Sequence, residues 1–412
     1  MKQKIYNNKL YGCKSKKYLA KFLSYENNKE KLYIQTKELR NVDLYFYSKA
    51  KIFYESKLTG EKFNVKPSDY SSKKYREFTD AGRKHKKILK RINLYLSRIE
   101  TPKYLFSKKD YCYKDNATYH KKNTKFILAD IKSFFPSCSF QKVKDFFCSE
   151  TGLNMIRTVK DKDGDIIRIE TDVAEAISKL VTAPTKKGKK VVRTIPQGYP
   201  TSTLMSFFAY KKMFDELNNL SNEYGYKFST YVDDITFSYK DEVIPFNEFI
   251  TKVSDILTNY GHSLSRNKIK YIDIDAIKSG HTTRHFPIIT GIFLKRYKAQ
   301  ATIKLHKKMN RLFNKINSAM VPRNSKEYMT KWENYASLVG VYNTINFIEP
   351  KSKKNRENIK KLISLNAKNF KMNISSKRIK QLKWEQKIYS AYCNGTLNEF
   401  VKKNKAKLIN YK

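Results

Sequence analysis

Phe228-Ser229-Thr230-Tyr231-Val232-Asp233-Asp234-Ile235-Thr236-Phe237 sets two adjacent carboxylates between two runs of aromatic and β-branched residues. Such flanks read as two strands, with the acids at the turn that joins them. Like charges side by side repel and raise each other's pKa, so a turn between strands keeps them only where a cation offsets the repulsion. Magnesium suits that role, being a hard ion that takes oxygen ligands while retaining water and phosphate. An Asp-Asp pair is also an ordinary choice for a solvated turn. The pair therefore needs company before it carries chemistry.

Company lies upstream. Phe126–Ala129 is a short apolar run ending in Asp130, within FILADIKSFFPS, and reads as a buried strand. A carboxylate at the end of one strand, facing a carboxylate pair on a hairpin, is an arrangement that holds two metal ions roughly 4 Å apart for in-line displacement at phosphorus. Between the two acidic sites, Ile195-Pro196-Gln197-Gly198-Tyr199-Pro200-Thr201-Ser202 is a Gly/Pro turn opening a helix over 201–220. The helix amino terminus and Gln197 are placed to line a phosphate-bearing pocket. The three segments in this order are far more specific than any one.

Elsewhere, residues 84–99 place Ile88, Ile92, Leu96 and Ile99 at helical spacing, and a polar stretch, 107–123, leads into the Asp130 strand. Residues 157–170 read as a hairpin turning at Asp163-Gly164. The Asp161, Asp163, Asp165 pattern fails as a calcium loop, because its glycine is misplaced and Asp172 stands where a bidentate Glu belongs. A helix is expected at 246–260, a strand pair at 269–274 and 287–294, and helices from 303 onward. Residues 351–412 carry 18 Lys/Arg against three Asp/Glu, with Leu362, Leu365, Ile379, Leu382, Trp384 and Ile388 as apolar anchors. His281 and His285, four apart, have no ligating neighbour in sequence.

The whole chain has 412 residues, 85 Lys+Arg against 38 Asp+Glu, and a formal net charge of +47. A surplus of that size serves a polyanion, with nucleic acid the first candidate. At 40% hydrophobic and 14% aromatic residues the chain is not globally disordered, and 13 glycines exclude a collagen-like repeat. Five cysteines without a CxxC spacing read as reduced thiols. The charged amino terminus lacks the apolar block of a signal peptide, and no run approaches a membrane span, so a soluble, cytoplasmic protein with no membrane partner is expected.

Together these motifs resemble a reverse transcriptase of the right-hand polymerase fold, of the bacterial retron and defence-associated (abortive-infection) group. FILADIKSFFPS resembles the family's first palm motif, IPQGYPTS its second and YVDD its catalytic hairpin. GHSLSRNKIKY (261–271) resembles the motif ending on Lys268, and IITGIFL (288–294) the primer-supporting hairpin with Gly291. DNATYH (115–120) matches the NAxxH signature of retron enzymes, and KKYREF (73–78) the basic fingers segment. The resemblance covers roughly residues 70–345. It departs at Tyr199, where the family carries a small residue, and in the long spacing between Asp130 and Asp233.

The resemblance implies an α+β fold with an amino-terminal region and fingers at 1–125, a palm at 126–300 with an insertion about 151–195, a thumb at 301–350, and a basic, mainly helical extension at 351–412. It implies that Asp130, Asp233 and Asp234, helped by the Ile131 carbonyl, bind two Mg²⁺ ions. Arg76, with Lys73 or Lys74, contacts the triphosphate; Phe135 excludes a 2′-hydroxyl; Gln197 lines the dNTP pocket. Lys268 sits by the leaving pyrophosphate as a proton donor, and Tyr231 and Gly291 meet primer and template. His120 is read as a structural hydrogen-bonding group. The implied activity is copying a structured noncoding RNA template into a DNA product from dNTPs, in antiphage defence, with an accessory effector protein as a further partner. Protein-primed or template-independent synthesis, with Tyr411 one of many candidate hydroxyls, and a non-catalytic RNA-binding scaffold are the rivals.

Overall fold

The computed structural model describes residues 8–27, 30–71, 74–187, 190–240, 246–275, 286–295, 298–318, 325–350 and 356–369. The chain divides into two compact units, Met1–Thr290 with Leu294–Lys298, and Gly291–Phe293 with Ala299–Lys412.

The first unit is mixed helix and sheet. Its central sheet is antiparallel, ordered Lys227–Tyr231, Asp234–Tyr239, Lys125–Asp130, Lys270–Asp273. Period-2 alternation gives the sheet two unlike faces. Phe228 and Phe237 lie opposite each other on one face with ring centroids 5.2 Å apart, and Phe249 of the Phe246–Asn259 helix packs onto Phe237 at 5.0 Å. The other face carries Ser229, Tyr231, Asp234, Thr236 and Ser238. Both faces are buried along the strands, and on the polar one Asp234, at the strand's start, is exposed.

The helix expected over 201–220 is two helices, Ser202–Ala209 and Lys211–Glu223, broken at Tyr210 with φ −120° and ψ 22°. Tyr210 is buried, its hydroxyl accepts the Ser139 N–H at 2.9 Å, and its ring lies 4.4 Å from His262. Those fixed contacts, and not a Gly or Pro, interrupt the helix. The strand pair expected at 269–274 and 287–294 is also corrected. Lys270–Asp273 joins the central sheet beside Lys125–Asp130, whereas Ile288–Ile289 belongs to a separate sheet with Ile292–Lys295 and Lys298–Ala301. The polar stretch 107–123 contains a helix, Tyr113–Tyr119, whose first turn is fastened by the Asp115 carboxylate accepting the Cys112 N–H at 2.8 Å.

A second antiparallel sheet, ordered Lys62–Phe63, Lys51–Ser56, Tyr75–Asp80, precedes the Arg83–Leu96 helix, which buries Ile88, Leu89, Ile92 and Leu96. The 157–170 hairpin forms as read, with Gly164 at φ 89°, and the Asp161 carboxylate accepts the N–H groups of Asp163 and Asp165. That carboxylate closes its own turn.

The second unit contains the helices Ile303–Asn317, Ser325–Ile348 and Glu357–Asn369, with Met309, Leu312, Trp332, Tyr335, Leu338 and Ile345 buried. Arg356, 5% exposed, donates to the Glu349 carbonyl and to Asn346 Oδ1, both at 2.9 Å. Leu365 is 58% exposed and is no anchor; Ile379, Leu382, Trp384 and Ile388 lie outside the described residues. Among the described residues no helix is long and apolar enough to cross a membrane.

Candidate active site

Register assembles the acids. In the central sheet Asp234 stands directly opposite Asp130, and Tyr231 opposite Asp234 closes the hairpin around Val232 and Asp233. Val232 has φ +64°, a conformation β-branched residues rarely adopt. It is held there from both sides: the Val232 N–H donates to Ser107 Oγ at 3.3 Å, and the Asp233 carbonyl accepts the Ile131 N–H at 2.9 Å. Strain of this kind persists only where the surroundings over-determine it. Beyond Asp130, the Gly261–Lys268 segment folds back along the strand end. The Lys132 N–H donates to the Ser263 carbonyl and the Ser265 N–H to the Asp130 carbonyl, each at 2.8 Å. The Asp130 carboxylate oxygen Oδ1 accepts from Ser265 Oγ at 2.6 Å and from Lys268 Nζ at 2.8 Å.

Electrostatics follow from that crowding. Burial, then the charge of Asp130, raises the Asp233 carboxyl above its ordinary value, against the pull of Lys268 and Arg76. Asp234 keeps an exposed edge, yet the protein around it, then the charges of Asp233 and Asp130, push it up to about 6, again against Lys268. Among the described residues no group of three His, Cys, Asp or Glu side chains is placed to hold a metal ion by itself, so an ion at these acids would draw the rest of its coordination from elsewhere. An open cluster of hard oxygen donors whose charges oppose one another fits a divalent cation that fills its coordination with water and phosphate. The Ile131 backbone is adjacent, with its side chain fully buried.

Cations surround the acids. Arg76, exposed on the Tyr75–Asp80 strand, is close enough to lower the Asp233 pKa. Lys57, at the end of the neighbouring strand, was not legible as a site residue. Its ammonium is lowered by desolvation, then by Arg76 and Lys268, and raised by Asp130. Its signal in sequence was only its place after KIFYES, the strand that pairs with YREFTD. Lys74 is engaged elsewhere, its Nζ 3.0 Å from Asp69, and Lys73 lies outside the described residues.

The Ile195–Thr201 turn locks this basic strand to the central sheet's helices. The Gln197 carbonyl accepts the Thr79 N–H at 2.8 Å, and a Cβ on Gly198, at φ +106°, would come within 2.8 Å of the Thr79 carbonyl oxygen. Gln197 itself is half-buried. Tyr199, unusual for its place, is buried edge-on to His85 at 5.2 Å. Phe135 follows a left-handed turn at Ser133 (φ 49°) and is half-buried beside Phe134, which packs on Tyr210, Phe214 and His262. Tyr231, half-buried, is raised by burial and then by Cys112 and Tyr113. Gly291, at φ 81°, occupies the turn between Ile288–Ile289 and Ile292–Lys295. The structure thus gathers Asp130, Asp233, Asp234, Lys268, Arg76 and Lys57 into one field, and leaves Lys74 out.

A family model described as reverse transcriptase (RNA-dependent DNA polymerase) matches residues 65–286. The retron Mx162 reverse transcriptase of Myxococcus xanthus is 28% identical over 129 residues, 30% of this chain and 24% of that relative's length. The chain therefore covers about a quarter of that relative's length. Among solved structures, apo telomerase from Candida tropicalis truncated from its C-terminal domain aligns with TM-score 0.32 at 13% identity, over 53% of this chain and 43% of that one. Telomerase from Candida albicans with a fragment of telomeric RNA aligns with TM-score 0.28 at 12% identity, over 58% and 44%.

Proposed function

The chain belongs to the reverse transcriptase (RNA-dependent DNA polymerase) family, and from that premise we propose that it synthesises DNA on an RNA template. The observation that carries the reading is the register that sets Asp130 across the sheet from Asp234 at a strained two-residue turn, with Lys268, Arg76 and Lys57 near the acids. Reverse transcriptase domains generally use divalent metal ions. In this reading the ions are two Mg²⁺, held by Asp130, Asp233 and Asp234 with the Ile131 carbonyl. When bound they supply activation of the primer 3′-hydroxyl and charge neutralisation at the leaving pyrophosphate.

The chain's own residues do the rest. Arg76 and Lys57 take the triphosphate, Gln197 lines the nucleotide pocket, and Phe135 meets the sugar and rejects a 2′-hydroxyl. Lys268 releases Asp130 and turns to the pyrophosphate, where its ammonium donates a proton. Tyr231 and Gly291 bear on primer and template. Residues 1–125 then serve as amino-terminal region and fingers, 126–300 as palm with the insertion about 151–195, 301–350 as thumb and 351–412 as a basic extension. Similarity to a retron reverse transcriptase, the Asn116-Ala117-Thr118-Tyr119-His120 segment and the charge of +47 support a structured noncoding RNA as template and a role in antiphage defence.

The test is to purify the chain with its flanking locus, and beside it the Asp233→Asn, Asp234→Asn variant, and to characterise the bound nucleic acid. RNA in both preparations with DNA joined to RNA only in the first is the expected result. On a primed RNA template, dNTPs are incorporated in preference to rNTPs and Phe135→Val narrows that preference by about tenfold or more. RNA without DNA from the unaltered chain, with dNTPs and Mg²⁺ supplied, would overturn the reading in favour of a scaffold. DNA whose mobility changes on proteolysis would instead mean protein priming.

A further inference from the structure

His120 is fully buried, 0% exposed, directly after the Tyr113–Tyr119 helix, and it spans the two strands of the catalytic hairpin. Its Nδ1 is 2.6 Å from Ser238 Oγ and its Nε2 is 2.7 Å from Ser229 Oγ, one serine on each strand. Both serines are themselves 0% exposed, and both lie on the face that carries Tyr231 and Asp234. Asn123 Nδ2 donates to Ser238 Oγ at 2.7 Å. The Ser238 oxygen has a second lone pair and a hydrogen to offer, so in either tautomer a neutral imidazole satisfies the network at both ends, donating to one serine and accepting from the other. Among the described residues the charge felt at this site is that of Lys227, whose Nζ sits 4.9 Å from the Tyr119 ring centroid. A cation there adds to the burial that keeps His120 neutral.

At its other end the same helix holds a different hairpin. The Tyr113 carbonyl accepts the Thr290 hydroxyl at 2.9 Å, and Cys112 and Tyr113 stand close enough to Tyr231 to raise its pKa. A seven-residue helix therefore bridges the back of the acidic turn and the Thr290 turn.

We propose that His120 is a positioning residue for polymerisation: its imidazole fixes the two strands of the Asp233–Asp234 hairpin against each other, and the Tyr113–Tyr119 helix sets their distance from the Thr290 turn. This rests on the polymerase reading. It adds that the NAxxH segment acts through hydrogen bonds to Ser229 and Ser238, four residues from Asp233 and Asp234 respectively, without touching substrate. Reacting groups held at attack distance lose rate steeply when displaced, about a hundredfold for an ångström. A role of this kind therefore appears in the chemical step and spares nucleotide affinity, which Arg76 and Lys57 supply from another sheet.

The experiment compares the full chain with His120→Ala, His120→Asn and the double variant Ser229→Ala, Ser238→Ala, which keeps the imidazole and removes its partners. Single-turnover incorporation at saturating dNTP is expected to fall about tenfold or more in His120→Ala and in the serine pair, with the dNTP dissociation constant within about twofold and partial recovery in His120→Asn. Amide hydrogen exchange over 227–239 is expected to quicken in the same variants. Unchanged rate and exchange would overturn the proposal, and so would equal losses of rate, dNTP affinity and melting temperature, the mark of general unfolding. If the unaltered chain and Asp234→Asn are equally inactive, the polymerase reading fails by itself. Exchange then decides the clamp: quickening confined to 227–239 upholds it, and none overturns it.

Discussion

Asp130 Oδ1 serves two donors at once, the Ser265 hydroxyl and the Lys268 ammonium. The hydroxyl orients the carboxylate, and the ammonium supplies the charge that opposes the upward shift of both Asp233 and Asp234. Lys268 is also the more solvent-exposed partner, 63% against 10% for the Asp130 side chain, so the pair is easily parted. Replacing Lys268 by Met removes the opposing charge. In the metal-free chain Asp234, already pushed up to about 6, then rises further, so protons compete with a metal ion for its carboxylate up to a higher pH. At subsaturating Mg²⁺ the acidic limb of the incorporation-rate profile is therefore expected to move to higher pH in Lys268→Met, alongside a lower plateau. A lower plateau with an unmoved limb would mean that Lys268 acts only at the pyrophosphate. Ser265→Ala retains the charge and is expected to leave the limb in place while lowering the rate.

At the scale of elements, the Gln197-Gly198 turn is the joint between the basic strand and the central sheet's helices. Gly198 adopts φ +106°, and an added Cβ would meet the Thr79 carbonyl oxygen at 2.8 Å, a backbone atom that cannot swing aside. Gly198→Ala must push back the strand that carries Arg76. The expected outcome is a KM for dNTP raised about tenfold with a smaller fall in kcat, measured in steady-state extension, and a loss of melting temperature of a few degrees. The sequence displays this turn and both acidic motifs because each depends on local chemistry: Gly and Pro at fixed offsets, and alternating strands around Asp233-Asp234. Other features depend on partners distant in the chain. The break at Tyr210 follows from Ser139 and His262, and the placement of Lys57 follows from strand pairing. The Tyr113–Tyr119 helix is too short to show an amphipathic stripe, and its order comes from contacts with two hairpins. His120 was legible as a hydrogen-bonding residue, and its partners were not.

For the whole molecule, pH and salt act through groups spread over many elements. His85 and His120 are buried neutral, displaced by burial from 6.5 to about 4 and about 3. Below pH 6.5 the unfolded chain takes up their protons first, so the stability they contribute is full above 6.5 and drains as pH falls through those windows, on the order of 3 kcal/mol for His85 and about 5 kcal/mol for His120. Asp234 works the other way, because its folded value is raised and it favours the fold as pH falls from about 6 toward 3.8. Urea unfolding of the metal-free chain is therefore expected to weaken from pH 6.5 to 4, less steeply in His85→Gln. A slope unaltered by that substitution would remove His85 from the account. Salt reaches further. A chain of charge +47 that grips a folded RNA by its phosphates releases counterions at every contact. If its hold rests on six or more phosphates, affinity is expected to fall by about a thousandfold or more between 50 and 200 mM salt. Neutralising single lysines that contact phosphate should each lessen that slope by about one, uniformly across RNA sequences. The Asp233→Asn, Asp234→Asn variant should bind RNA at least as tightly as the unaltered chain, since it removes negative charge from the site. Filter binding across the salt series separates the two contributions: a shallow slope with sequence-dependent affinity would place recognition in base contacts, and the basic surplus would then serve another polyanion.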